Sequence, residues 1–242
     1  MMNIKEYLST IDLVILCGGL GTRLATISGG NPKALVDIHG TPFLDFLVKF
    51  YRDQGFKRII FCCGYQSQKI KEKYKSDESI EYIFSTEVKQ LGTGGAIKNA
   101  QHLIKSRKYF VVNGDSFINI NFKKMVDFDK EKKSKITLAL CELENYKDGG
   151  VIKLNDNLEV ISFHEKPKNL LNDHLISAGI YFIEKSYLNL SYSSPFSLEI
   201  DVFQNIHDKK IIFGYKEQGE KVIDIGTPER YYKSLDLLKK YL

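Results

Sequence analysis

Apolar and polar positions along the chain change period several times, and the changes mark out its elements. The run Ile11–Cys17 is continuously apolar apart from Asp12, which reads as a strand buried on both faces. Phe43–Gln54 carries Phe43, Leu44, Leu47, Val48 and Tyr51 at helical spacing, and Gly55 closes it. Arg58–Cys63 is the next strand. Ser67–Tyr74 is a helix with Ser67 placed as its cap, and Ile80–Ser85 is a third strand. Helix and strand continue to alternate through Gly95–Leu103, Tyr109–Asn113, Phe122–Glu131 and Ile136–Cys141. This alternation predicts an α/β fold whose central sheet is mixed but mostly parallel, with helices on both faces.

The second half has a different rhythm. Gly150–Leu154, Val160–His164 and Ser177–Ile183 read as strands joined by turns such as Asn155-Asp156-Asn157. A helix follows at Leu198–Ile206, then strands at Ile211–Tyr215 and Lys221–Ile225. Thr227-Pro228-Glu229 opens the last helix with a cap and a proline at its first position. Leu235, Leu238 and Leu242 give that helix an apolar stripe, read here as core packing. The expected organisation is a single domain over residues 1–242. Residues 1–142 form one half, and a smaller β-rich half covers 143–242.

Composition narrows the class. Hydrophobic residues are 43% and charged residues 27% of 242, as in ordinary globular proteins. Thirty-five basic against 30 acidic side chains leave a formal charge of +5, which suits small anionic ligands. No basic stretch is interleaved with aromatics, so neither nucleic acid nor a membrane is expected as partner. The polar N-terminus lacks a leader-like apolar core, and no run is long enough for a membrane span; a cytoplasmic location is expected. Cys17, Cys62, Cys63 and Cys141 lack metal-ligand spacing and are expected as buried, reduced thiols, with Cys62 and Cys63 on opposite faces of one strand. Nothing in the chain rules out a homo-oligomer.

The chemistry concentrates after the first strand, in Leu16-Cys17-Gly18-Gly19-Leu20-Gly21-Thr22-Arg23-Leu24 and Asn31-Pro32-Lys33. Glycines at a strand end expose backbone N–H groups to a phosphate, and Arg23 and Lys33 add two cations. A P-loop is excluded because Gly21 is followed by Thr22-Arg23, not by Lys-Ser or Lys-Thr. A dinucleotide fingerprint is excluded because Leu24 stands at its third glycine. Two carboxylates end apolar strands beside glycines, Asp115 in Asn113-Gly114-Asp115 and Asp224 in Asp224-Ile225-Gly226. Such a pair facing a phosphate loop is what Mg²⁺ needs. Pro167 biases Lys166 toward an extended conformation that aims its side chain. Gly92-Thr93-Gly94-Gly95 offers a backbone against which a flat ring can lie. No Ser/His/Asp arrangement is present, so no covalent nucleophile is expected, and His164 is placed on a strand face. Gln68 and Ser85 are candidates for contacting a base.

Seven pieces in order resemble the sugar-1-phosphate nucleotidyltransferases over nearly the whole chain. They are Gly18–Leu24, Pro32-Lys33, Leu91-Gly92-Thr93, Asn113-Gly114-Asp115, Glu165-Lys166-Pro167, Ser177–Tyr181 and Asp224–Pro228. Gly92–Ala96, Phe196–Asp201 and Asp224–Pro228 are most similar to the branch that joins GTP to a heptose 1-phosphate. The resemblance implies a Rossmann-like three-layer α/β/α fold and transfer of a nucleotidyl group from GTP, with release of pyrophosphate and Mg²⁺ as cofactor; the alternatives are a relative that uses mannose or N-acetylmuramate 1-phosphate with GTP or UTP, and a nucleotide-sensing module of the same fold. Leu16, Gly18, Gly19, Gly21, Thr22, Gly92, Thr93, Asn113 and Gly114 would hold the nucleotide. Arg23 would grip the β- and γ-phosphates, and Lys33 would neutralise the α-phosphate. Asp115 and Asp224 would hold the metal. Lys166 would orient the sugar phosphate, with Gly150, Glu165 and Gly179 at the sugar. The family often has a further aspartate after Asn-Gly-Asp, where this chain has Asn119 and Asn121. Long relatives add a hexapeptide-repeat acyltransferase domain; nucleotidyl transfer alone is expected of these 242 residues.

Overall fold

A computed structural model of the chain describes residues 3–142, 149–165, 175–188, 192–206 and 210–242. In chain order the elements begin with α1 (Ile4–Leu8), β1 (Leu13–Leu16), α2 (Ala25–Ser28) and a small hairpin of β2 (Asp37–Ile38) and β3 (Thr41–Pro42). Next come α3 (Phe43–Gln54), β4 (Arg58–Cys63), α4 (Ser67–Lys73), β5 (Glu81–Thr86), α5 (Gly92–Ala100), β6 (Lys108–Asn113) and β7 (Ser116–Phe117). Then follow α6 (Phe122–Lys132), β8 (Ile136–Glu142), β9 (Gly150–Leu154), β10 (Val160–Glu165) and β11 (Leu175–Glu184). A π-helix at Leu198–Phe203 runs into α7 (Gln204–Ile206), and β12 (Ile212–Lys216), β13 (Ile223–Asp224) and α8 (Pro228–Leu238) complete the chain.

Nine of the described strands form one sheet. β5, β4, β1 and β6 lie side by side and parallel, as the alternation of strand and helix requires. β11 enters antiparallel beside β6 and carries β8 along its other edge, with β9 pairing its first two residues. The later strands thus extend the sheet of the first half itself. The β11–β8 register shifts between Ser177 and Tyr181, and Gly179 sits in that irregularity at φ +69°.

Strands buried on both faces feed two cores. Leu13 and Ile15 of β1, Ile59 and Phe61 of β4, and Phe110 and Val112 of β6 pack under α3 and α6. Their neighbours Val14, Ile60, Val111 and Tyr109 pack on the other face with Ala96, Ile97 and Ala100 of α5 and with Leu198, Val202 and Phe203 of the π-helix. The result is the expected α/β/α layering. Cys63 and Cys62 fall into the two different cores, and all four thiols are reduced and buried. Among the described residues no helix is long and apolar enough to cross a membrane.

Several element boundaries differ from the sequence reading, each for a tertiary reason. α5 starts at Gly92, not Gly95, because the Phe196 carbonyl accepts from the N–H groups of Gly94 and Gly95 (3.1 and 3.3 Å) and supports a glycine-rich first turn. Ser67 is the first residue of α4; Gln66, left-handed at φ +50°, takes the cap position. β13 is reduced to Ile223–Asp224 by its short partner β7. The apolar stripe of the last helix is only partly core: Leu238 is buried and Leu235 packs against the core, but Leu242 is 52% exposed. His164 lies on the exposed face of β10.

A buried ionic clamp fastens the sheet at the end away from the glycine loop. Asp12 is 2% exposed and accepts from Arg58 Nη1, from the backbone N–H groups of Lys105 and Ser106 (2.6 and 2.7 Å) and from Ser106 Oγ (3.0 Å). Arg58 also donates to Glu81 (2.7 Å) and to the Leu103 carbonyl (2.9 Å), so it ties β4 to β5 and to the turn before β6. Asp12→Ala leaves Arg58 Nη1 and two backbone N–H groups without their acceptor. It is expected to cost about 3–5 kcal/mol in a denaturant melt, with an unchanged slope.

Candidate functional site

The carboxyl ends of β1, β4, β5 and β6 open on one cleft with three lobes. One lobe, about 640 Å³, lies between the ends of β1 and β4, the stretch Glu87–Leu91 after β5, and the first turn of α5. A second, about 320 Å³, is walled by Cys17, Gly19–Arg23, Lys33, Gly114 and Gly226. A third, about 550 Å³, is bounded by Gly149, Gly150, Glu165, Ser177–Gly179, Glu199, Asp224 and Arg230. Asp115 lines all three, so the lobes meet at its carboxylate.

In the second lobe the chain leaves β1 with the Cys17 N–H on the Cys62 carbonyl (3.0 Å) and turns at Gly21 into a short 3₁₀ helix, Thr22–Leu24. Gly21 is left-handed (φ +63°), and a Cβ there would stand 2.7 Å from Lys33 Cβ. The missing side chain is what lets Lys33 approach the loop. Arg23 is exposed at the lobe's rim. Lys33 is far more enclosed, its side chain 13% exposed, and its Nζ sits 2.5 Å from Asp115 Oδ2. The loop's main cation and the central carboxylate are therefore an ion pair in this state.

The first lobe holds a carboxylate that the sequence reading missed. Glu87 follows β5 as Gly18 follows β1 and Asp115 follows β6. Its Oε2 accepts from the Leu91 N–H (3.1 Å), and burial raises its pKa above the usual carboxylate value. A Cβ on Gly18 would come within 3.0 Å of Glu87 Oε1, so Gly18 makes room for this side chain. The signal that points to Glu87 is its position one residue past a parallel strand's carboxyl end. Gln68 and Ser85 do not line the lobe. Gln68 bonds Glu72 on α4 (2.9 Å), and the buried Ser85 accepts from Asn99 (2.9 Å). The flat ring lying against the α5 glycines is the chain's own: a Cβ on Gly94 would meet Phe196 Cε2 at 2.3 Å.

Thr93 faces both the first and the third lobe. Its Oγ1 donates to Glu199 Oε2 (2.5 Å) and accepts from the Leu198 N–H (2.9 Å). Glu199 also accepts from Ser197 Oγ on Oε2 (2.7 Å) and from Tyr181 OH on Oε1 (3.2 Å). Burial first, and Glu199 next, push the Tyr181 hydroxyl well above its ordinary pKa, which keeps it a donor. This hub joins α5, β11 and the π-helix. Gly150 and Gly179 admit neighbours as well. A Cβ at Gly150 would strike Phe163 (2.5 Å) and approach Glu165 Oε2 (3.1 Å), and one at Gly179 would stand 2.6 Å from Asn113 Nδ2.

Asp224 reaches the third lobe from β13, where it pairs across the ladder with Ser116, next to Asp115. Its Oδ2 accepts from Arg230 Nη1 (2.6 Å), and its Oδ1 accepts from the Gly226 N–H. Arg230 lines the same lobe and was not anticipated from sequence. Asn119 and Asn121 stand outside the three lobes: Asn119 bonds Glu220 (2.9 Å) and Asn121 caps α6 through Lys124 N (3.0 Å). Lys166 lies outside the described residues. Asp115 and Asp224 are hard oxygen donors on one wall beside a phosphate-sized lobe, which fits a divalent cation that completes its shell with phosphate and water. No group of three or more candidate metal-ligating side chains occurs among the described residues, so most of that shell has to come from ligand and solvent.

Comparison with known proteins gives three findings. The family model for nucleotidyl transferases matches residues 13–240. D-glycero-alpha-D-manno-heptose 1-phosphate guanylyltransferase of Campylobacter jejuni is 37% identical over 227 residues, spanning 93% of this chain and 99% of the relative. The crystal structure of HddC from Yersinia pseudotuberculosis superposes with a TM-score of 0.81 at 33% identity, covering 95% of this chain and all of that one. Its form complexed with GMP-PN gives a TM-score of 0.79.

Gly92 tests the link between the first and third lobes. It is left-handed (φ +73°), and a Cβ there would meet the Phe196 carbonyl oxygen at 2.3 Å. Gly92→Ala is expected to lower stability by about 1–3 kcal/mol in thermal or denaturant melts, from backbone strain and the forced retreat of Phe196.

Proposed function

The chain belongs to the nucleotidyl transferase family and is an enzyme of that class, and on that premise we propose that it joins GMP from GTP to D-glycero-α-D-manno-heptose 1-phosphate, giving GDP-heptose and pyrophosphate. The observation that carries the reading is the meeting of three lobes at one carboxylate. A nucleoside fits the 640 Å³ lobe, a triphosphate tail the cationic one, and a sugar phosphate the lobe rich in hydrogen-bond acceptors.

Glu87 favours guanine. A base-binding lobe with an ionised carboxylate rewards adjacent N–H donors, and guanine presents N1–H and the N2 amino group side by side. The heptose assignment draws on the Campylobacter jejuni relative. It is also supported by Glu165 and Glu199, whose carboxylates suit a substrate with many hydroxyls. A place in making precursors for surface polysaccharide, in the cytoplasm, follows from that product.

The sugar phosphate's ionised oxygen attacks the α-phosphorus. A new P–O bond forms while the bond to the bridging oxygen of the β-phosphate breaks, and pyrophosphate carries away the electron pair. The attacking oxygen carries no proton near neutral pH, so no general base is required. The protein's tasks are alignment and charge neutralisation. The backbone N–H groups of the Gly18–Gly21 stretch hold the phosphates, Arg23 balances the departing pyrophosphate, and Lys33 balances charge gathering at the α-phosphate. Lys166 orients the sugar phosphate. Mg²⁺, held by Asp115 and Asp224, would supply further charge neutralisation at the phosphates.

Pyrophosphate release with a panel of NTPs and sugar 1-phosphates tests the reading; no release with GTP and the heptose 1-phosphate would refute it. Arg23→Ala and Lys33→Ala are each expected to lower turnover about 10²–10³-fold, and near-normal rates in both would sink their roles. Because Glu87 must be ionised to accept from guanine, GTP affinity should strengthen as pH rises through its raised pKa, above the ordinary carboxylate range. Glu87→Gln should abolish that step and narrow the preference for GTP over other NTPs. Without ligand the sign reverses. The folded state loses stability as pH rises from the unfolded carboxylate value through the raised one, and a pH series of melts reads this directly.

A further inference from the structure

Each carboxylate assigned to the metal is already matched with a cation of the protein. Asp115 is held by Lys33 (2.5 Å) and Asp224 by Arg230 (2.6 Å). Asp224 pairs on the β7–β13 ladder with Ser116, the residue after Asp115, and both carboxylates line one cavity, where unbalanced like charges would repel. Lys33 and Arg230 relieve that repulsion in the metal-free protein. A divalent cation competes for the same oxygens. If it takes Asp224, the guanidinium cannot keep its place against a second positive charge.

The geometry limits where Arg230 can then go. Its Nε is tied to Thr227 Oγ1 (3.2 Å), the hydroxyl that caps α8. A turn about that tether carries the terminal nitrogens off Asp224 and leaves the helix start in place. The space they face is the third lobe, which Arg230 lines together with Arg23 and Gly226. The ligand fitting a planar fork there is a phosphate monoester dianion, which guanidinium grips with two parallel hydrogen bonds.

We propose that Arg230 clamps the phosphate of the incoming sugar 1-phosphate, and that its ion pair with Asp224 withholds it until a metal loads. The idea rests on the nucleotidyl-transfer reading above and adds to it that a metal on Asp224 makes Arg230 available to the second substrate.

The test uses the full chain with Arg230→Ala, Arg230→Gln and Arg230→Lys. Arg230→Gln keeps a hydrogen-bonding side chain beside Asp224 and Thr227 while removing the charge. Mn²⁺ alone, titrated by calorimetry or electron paramagnetic resonance without nucleotide, should bind the Ala and Gln variants several-fold more tightly than the parent protein, because a competing cation is gone. In steady-state assays the same variants should raise the KM for sugar 1-phosphate by about tenfold or more, the size expected of a lost charged hydrogen bond, with the GTP KM changed by less than about twofold. Arg230→Lys should recover most of that loss.

A purely structural ion pair predicts the opposite. Asp224 would lose its anchor, Mn²⁺ would bind no better or worse, and both KM values would move together with the melting temperature. Either result overturns the proposal. If the parent protein releases no pyrophosphate with any sugar 1-phosphate, the functional reading fails instead, while the Mn²⁺ titration still decides whether metal and guanidinium exchange on Asp224.

Discussion

The site depends on the register between β1 and β6. Leu16 stands opposite Asn113, and the Gly114 N–H closes on the Leu16 carbonyl (2.9 Å). That bond leaves the glycine loop and Asp115 side by side at the same sheet edge. Gly114 cannot be replaced cheaply, since a Cβ there would stand 2.8 Å from the same carbonyl oxygen. A slip of one residue would turn Asp115 away and exchange the two cores that alternate along both strands. The buried clamp of Asp12 and Arg58 at the opposite edge secures the same strands from below. The ends where the chemistry gathers are thereby left to hold glycines and charges.

Electrostatically, the cleft opposes fixed anions to movable cations. Asp115 and Asp224 sit on short backbone segments next to glycines and have little freedom. Lys33 and Arg230 reach them through long side chains that can exchange one anionic partner for another. A substrate that brings four or more negative charges with a metal can take over both sets of contacts without moving the backbone. Such exchange would let a rigid sheet edge serve a reaction in which charge shifts from one phosphorus to its neighbour.

Most of the fold was legible because the strands are buried on both faces and the helices are amphipathic. β4, α3 and β9 begin and end where their patterns say. The glycine loop, Asp115 and Asp224 stood out as motifs at strand ends, and Gly150, Glu165 and Gly179 only through the family resemblance; the structure gathers all of them around one cleft. What escaped was whatever depends on contacts distant in sequence. The start of α5 is set by a carbonyl about a hundred residues away, at Phe196. Glu87 has no motif around it; only its place at the end of β5 makes it notable. Arg230 looks like an ordinary first-turn helix residue until Asp224 folds beneath it. The two ion pairs were equally hidden, because periodicity carries no record of which charge meets which.

The Glu199 hub bears on how such an enzyme can diversify. One carboxylate receives hydroxyls from Thr93 on α5, Tyr181 on β11 and Ser197 at the cap of the π-helix. A lineage that reshapes the third lobe by altering β11 or the π-helix also disturbs the first turn of α5, which lines the first lobe. Change in one lobe is therefore bound to compensating change in the other, and the two are inherited as one trait.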